Sequence, residues 1–241
     1  MIDSELCIPT RLVFGRGRYR EIGKFVKGFS DKVLLLYGGG SIKKTGVYEG
    51  VTDSLREQGI AWTELSGITS NPTLEIVQKG IKICREKSIG MLLAVGGGSV
   101  IDTAKAIACG RLYDGDVRDF FCGRKEVAKA LPIAVVLTIP GTGSEVSGNA
   151  VLTNTINHEK RSAISDLLRP RLSILDPSLC TTVPKNQIAN GVYDMLSMFV
   201  QFAINVMGVG GAIRDQKETA LEGIRALERF SKRLGLPQRL S

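Results

Sequence analysis

Two hydrophobic rhythms alternate along this chain. Residues 33–37 (VLLLY), 91–95 (MLLAV) and 133–138 (IAVVLT) are unbroken apolar runs of strand length. A run without polar alternation predicts a strand covered on both faces, as in a parallel sheet. Between the first two runs, Val47, Val51 and Leu55 recur at four-residue spacing, and Leu74, Val77, Ile81 and Cys84 at three and four. That period predicts amphipathic helices laid on the sheet. Asn71-Pro72-Thr73 reads as a turn, with Thr73 placed to cap the second of these helices. Strand and helix in alternation predict a wound α/β domain over residues 1–182.

After Asp176-Pro177 the strands stop. Residues 183–200 predict a helix opened near Pro184, and residues 218–234 a stronger one. In the latter, Leu221, Ile224, Leu227, Phe230 and Leu234 share a face, with Gly235 and Pro237 as stop signals. The stretch between them is glycine-bearing and has no period. A tail of this size, residues 183–241, offers little core of its own. It must dock on the first domain or on another copy of the chain, which leaves a homodimer open.

Composition narrows the setting. At 241 residues and 43% apolar, the chain has material for one large domain with a small appendage. The opening residues carry charge before any apolar stretch reaches signal-peptide length, and no apolar run approaches the ~18 residues of a membrane span. The expectation is a cytoplasmic protein without a membrane partner. Five cysteines, odd in number and without a CxxC pair, predict reduced thiols filling apolar gaps rather than a disulfide framework or a zinc knuckle. Net charge is +8, but acids and bases intermingle, as in Lys217, Glu218, Glu222, Arg225, Glu228, Arg229, Lys232 and Arg233. This is a mixed solvated face rather than a nucleic-acid stripe, and a small polyanion such as a dinucleotide phosphate accounts for the excess more simply.

Candidate chemistry gathers at glycines. Gly38-Gly39-Gly40-Ser41 follows the first apolar run and Gly96-Gly97-Gly98-Ser99 the second. A strand ending in glycines and a hydroxyl, then turning into a helix, lets backbone N–H groups close on an anion while the helix N-terminus adds partial positive charge. The first cluster reads equally as a bare tight turn. The second is stronger, because Val100, Ala104, Ile107 and Ala108 continue as the inner face of a helix that the glycines open. A third cluster, residues 138–145 (TIPGTGSE), follows the third run and offers three hydroxyls. Turns that each end a parallel strand converge on one sheet edge, where open α/β folds bind ligands.

Here a resemblance becomes specific. GGGSVIDTAKAIA (96–108), GITSNPTLEIVQKG (67–80), TIPGTGSEVSGNAVLTN (138–154), LSILDPSL (172–179) and NGVYDMLS (190–197) resemble, in order, the iron-containing, group III alcohol dehydrogenases in their butanol-dehydrogenase-like branch. The resemblance implies a dehydroquinate synthase-like α/β nucleotide domain, then an all-helical domain that carries iron or zinc. It also implies metal-assisted hydride transfer between NAD(P) and a primary alcohol or aldehyde. Carried over by motif position, Gly97, Gly98 and Ser99 would hold the pyrophosphate with Asp102 behind them. Thr138, Thr142 and Ser144 would line the phosphate and nicotinamide side. Asn71, Asn149 and Lys160 match cofactor contacts, with a solvated surface lysine the alternative for Lys160. Leu179 would pack near the adenine. Gly38, Gly39 and Ser41 would face the adenosine ribose. NAD-preferring members often carry Asp at the position of Gly39, so its absence leans towards NADP over NAD.

The departures carry equal weight. The family's metal is held by one Asp and three His, the first two spaced Asp-x-x-x-His. Asp194 matches the Asp, but Met198 stands four residues later. The chain's single histidine, His158, falls in a loop before Lys160 and reads as a solvated loop residue. From MFVQFAINVMGV onwards the sequence resembles the family's last segment. The expectation is therefore a helical domain shortened at a joint near Ser197 and Met198, with the remaining ligands absent and no metal bound. Two readings follow: an alcohol dehydrogenase by family whose activity is impaired, or a non-catalytic dinucleotide-binding remnant or interaction module. A decayed product that folds poorly is a third.

Overall fold

The computed structural model describes residues 8–154, 159–183, 204 and 216–233. The chain divides into two compact units, Met1–Thr182 and Val183–Ser241. In chain order, the first unit contains β1 (Arg11–Phe14), α1 (Ile22–Val26), β2 (Lys32–Tyr37), α2 (Ser41–Lys44), α3 (Val47–Glu57), β3 (Ala61–Leu65), α4 (Leu74–Glu86), β4 (Met91–Gly96) and α5 (Gly98–Arg111). They are followed by α6 (Arg118–Phe121), β5 (Ile133–Leu137), β6 (Asn149–Asn154), β7 (Glu159–Ile164) and β8 (Leu172–Leu175). Six strands form one parallel sheet in the order β1-β8-β5-β4-β2-β3. The three apolar runs are its central strands β2, β4 and β5.

Their lack of alternation has the expected cause. Leu34, Leu36, Leu92, Ala94, Ile133 and Val135 enter one core with α4 and α5. Their neighbours Val33, Leu35, Met91, Leu93, Ala134 and Val136 enter a second core with α1 and α3. Every one of these twelve is at most 1% exposed. At about 1.5–3 kcal/mol for each large apolar side chain removed from water, the two cores are the main favourable term in this fold. The edge strands β1 and β3 are only partly buried, so their sequences, RLVF and AWTEL, carry no such run.

β6 and β7 form a separate antiparallel hairpin, Asn149↔Ile164 through Asn154↔Glu159. Backbone N–H groups of β6 attach it to the wound domain. Thr153 N–H donates to Pro72 O (2.8 Å), and Val151 N–H donates to Asp102 Oδ2 on α5 (3.1 Å). Thr73 occupies the N-cap of α4 as expected, but its side chain makes no capping bond. Its backbone is extended and bridges Thr153 instead. Cys84 and Cys109 are buried free thiols whose pKa burial pushes up to about 12, as gap-filling cysteines should behave.

In the second unit, α7 (Gln216–Arg233) is close to the expected span. Among its described side chains Thr219, Gly223 and Ala226 are buried and Ile224 is half-buried. Leu221, expected on the buried face, is 40% exposed. Residues 184–200 of the other expected helix, with Asp194 and Met198, lie outside the described residues, as does His158.

One close approach tests the packing. A Cβ on Gly23 would lie 2.0 Å from Ser54 O, backbone that cannot give way, at the place where Gly23 N–H donates to Ser54 Oγ (3.0 Å). Gly23→Ala therefore forces α1 and α3 apart. The expected loss is about 1–3 kcal/mol, read as a lower denaturant midpoint at unchanged slope.

Candidate cofactor site

Parallel pairing puts the turns that follow β2, β4 and β5 on one edge of the sheet. The turns adjoin laterally: Thr138 N–H donates to Gly96 O (3.1 Å), and Gly67 N–H donates to Gly38 O (3.1 Å). α5 begins at Gly98 with no side-chain cap at its N-terminus. The first N–H groups of a helix have no partner within it and face forward, as an anion requires. A Cβ on Gly98 would lie 2.7 Å from Thr142 Oγ1, so only glycine leaves this approach open.

In front of this helix end lies a cleft of about 310 Å³, lined by Asn71, Pro72, Gly98, Ser99, Asp102, Thr142, Ser144, Ser147, Asn149, Val151 and Lys160. A larger hollow of about 550 Å³ runs along the far ends of α4 and α5, past Arg85, Gly110 and Val117. That end presents helix carbonyls, whose partial charge opposes a phosphate, so the smaller cleft is the candidate site.

Eight of the fourteen expected cofactor residues line the cleft. Lys160 Nζ donates to Asn71 Oδ1 (2.9 Å), so the lysine stands on the cleft rim with a fixed partner. Asn71 adopts a left-handed backbone, φ 61°, which Asn tolerates better than most residues. The other six lie apart from the cleft lining. Gly97 precedes α5, and Thr138 joins the second turn to the third. Gly38, Gly39 and Ser41 make the adjacent first turn, and Leu179 is buried in the α1/α3 core with Tyr37 and Ile42.

Three residues escaped the sequence reading. The first is Lys105, which has no exposed surface. Its Nζ donates to Asn149 O (2.7 Å), Ser144 Oγ (2.8 Å) and Ser147 Oγ (3.3 Å). Ser144 Oγ–H in turn donates to Asp102 Oδ1 (2.6 Å). The second is Ser147, which joins this network. The third is Glu64, whose carboxylate accepts from the Tyr37 and Tyr48 hydroxyls and pairs with Lys43 Nζ beside the first turn. Burial works against the Glu64 carboxylate, but the two hydroxyls and Lys43 outweigh it and hold its pKa below the ordinary value.

With this geometry stands one decisive comparison. The family described as iron-containing alcohol dehydrogenase matches residues 9–177. The chain belongs to that family. It is 49% identical over 199 residues to the probable NADH-dependent butanol dehydrogenase 2 of Bacillus subtilis, covering 82% of this chain and 51% of the relative. It is 45% identical over 212 residues to the NADH-dependent butanol dehydrogenase A of Clostridium acetobutylicum, covering 88% and 54%. The crystal structure of NADH-dependent butanol dehydrogenase A from Thermotoga maritima superposes with a TM-score of 0.82 at 44% identity, covering 96% of this chain and 57% of that one. The chain thus spans about half the length of the curated relatives it matches.

Burial lowers the Lys105 pKa from 10.5 to about 8, although Asp102 and Glu145 pull it upward. Between those two values the unfolded chain holds a proton that the folded chain has released, so this group makes stability rise with pH across that window. The gain should be about 2–3 kcal/mol between pH 8 and 10.5. It is read as the difference in unfolding free energy between wild type and Lys105→Met, which should move in favour of wild type as pH rises.

Proposed function

We propose that the first unit binds a nicotinamide dinucleotide with its pyrophosphate over the N-terminus of α5. By family, the activity is hydride exchange between NAD(P) and a primary alcohol or aldehyde. The observation that carries the reading is the cleft itself: an uncapped helix end, a glycine that a Cβ would close, four hydroxyl-bearing residues and Lys160 all line one volume. These groups fit a dinucleotide. The N–H groups and Lys160 bind the phosphates, Asp102 holds Ser144 in place, and the third turn would orient the ring. When bound, the nicotinamide supplies the hydride acceptor or donor.

Among the described residues the donors do not fit a divalent metal. No group of three or more His, Cys, Asp or Glu residues is placed for a metal among the described residues. Asp194, the one match to the family's ligands, lies outside them. Turnover by this chain is expected to be impaired. One observation favours the second reading, a non-catalytic dinucleotide-binding module: His158 is the only histidine in 241 residues. A cytoplasmic setting and self-association stay with the proposal as expected from the sequence.

Calorimetry with NADH and NADPH tests the cofactor. Both should bind, and Gly98→Leu should weaken each at least about tenfold by blocking backbone approach. No binding by wild type at millimolar cofactor overturns the reading. Gly39 repels no 2′-phosphate, so NADPH should bind at least as tightly as NADH, and Gly39→Asp should reverse the order. A clear natural preference for NADH would contradict this.

Metal content after dialysis should be well below one iron or zinc per chain, and NADP-linked butanol oxidation with added metal should stay at background. Near-stoichiometric metal, with turnover lost in Asp194→Ala, would show a site rebuilt from other groups.

A further inference from the structure

Lys105 lies on the same side of α5 as Asp102, three residues further on, behind the cleft wall rather than in it. An unexposed ammonium is costly unless every donor finds a partner. Here all three do, and the partners are Ser144, Ser147 and the backbone of Asn149, each a lining residue of the cleft. The ammonium thus ties the third turn and the start of β6 to the helix whose N-terminus faces the phosphates. A neutral amine has only two N–H groups, so loss of the proton gives up one of these bonds and the positive charge behind the anion.

We propose that Lys105 is a proton-linked positioning residue: as an ammonium it fixes the phosphate wall of the cleft, so that dinucleotide and proton bind together. This rests on the cofactor reading above. The charged groups around Lys105 are Asp102 on α5 and Glu145 in the third turn, which favour the ammonium, and Arg169, which opposes it. Burial dominates and brings the pKa down to about 8, within reach of ordinary working pH. A phosphate arriving in front of the wall favours the charged form. By reciprocity, the charged form favours the phosphate. Affinity is therefore full below that pH and declines as pH rises through it.

The test is NADH calorimetry on the full chain at pH 8, in two buffers of different ionisation enthalpy, with affinities followed from pH 7 to 9.5. NADH itself carries no group that titrates in this range. Wild type should take up a fraction of a proton on binding and lose about five- to tenfold in affinity across the range. Lys105→Met should bind more weakly at pH 7, take up no proton and give a flat profile. Ser147→Ala keeps the lysine but removes one acceptor, so it should retain proton uptake with its midpoint at lower pH. Wild type that binds NADH with no uptake and a flat profile overturns the inference while leaving the cofactor reading intact. So does a Lys105→Met protein with wild-type uptake. Failure of wild type to bind NADH at any pH instead removes the cofactor reading and this inference with it.

Discussion

A buried hydrogen-bonded network gives the cleft its walls. Asp102 and Lys105 leave the same side of α5 and meet at Ser144, which donates to the carboxylate and accepts from the ammonium. Asp102 also takes Val151 N–H, and Lys105 also reaches Ser147 and Asn149 O. Five bonds thus attach the third turn and the hairpin to one helix. Such a network is worth having only when every member is satisfied, because a single unpaired charge at this depth would cost several kcal/mol. Satisfied, it makes rigid the surface that faces the N-terminus of α5.

The sheet supplies the other half of the site. Parallel strands send each following turn to the same edge, and the two-sided burial of β2, β4 and β5 holds those turns in fixed register. The uncapped end of α5 then points its free N–H groups and partial positive charge into the cleft. Lys160 arrives from the hairpin and is anchored on Asn71, so sheet, helix and hairpin all contribute to the cleft proposed to hold the dinucleotide. Eight positions that the family resemblance marks for the cofactor line this cleft. Among the described residues no cluster of metal donors is placed.

What the sequence made legible follows from burial. β2, β4 and β5 could be read because both faces are covered and residues 33–37, 91–95 and 133–137 are all apolar. β7 (EKRSAI) buries one residue of six and leaves no period to read. The glycine turns were legible because close approach and tight turning demand glycine. Lys105 was not, because a helical lysine ordinarily reads as solvated. A signal was present, however: it is flanked by TA and AIAC in a helix apolar nearly all round, where a charged residue has no polar face to occupy. The pairing of Lys160 with Asn71 spans 89 residues and has no local signature at all. On α7 the period marks Leu221 for the buried face, yet it is 40% exposed, because periodicity counts hydrophobicity and not fit.

The most direct measurement of the central claim is amide hydrogen exchange with and without saturating NADH. Dinucleotide phosphates over the N-terminus of α5 should slow exchange at residues 97–102 and 141–151, the helix end and the third turn with the start of β6. Protection confined to other segments, or none at these two while NADH is bound, would contradict the assignment of this cleft as the cofactor site.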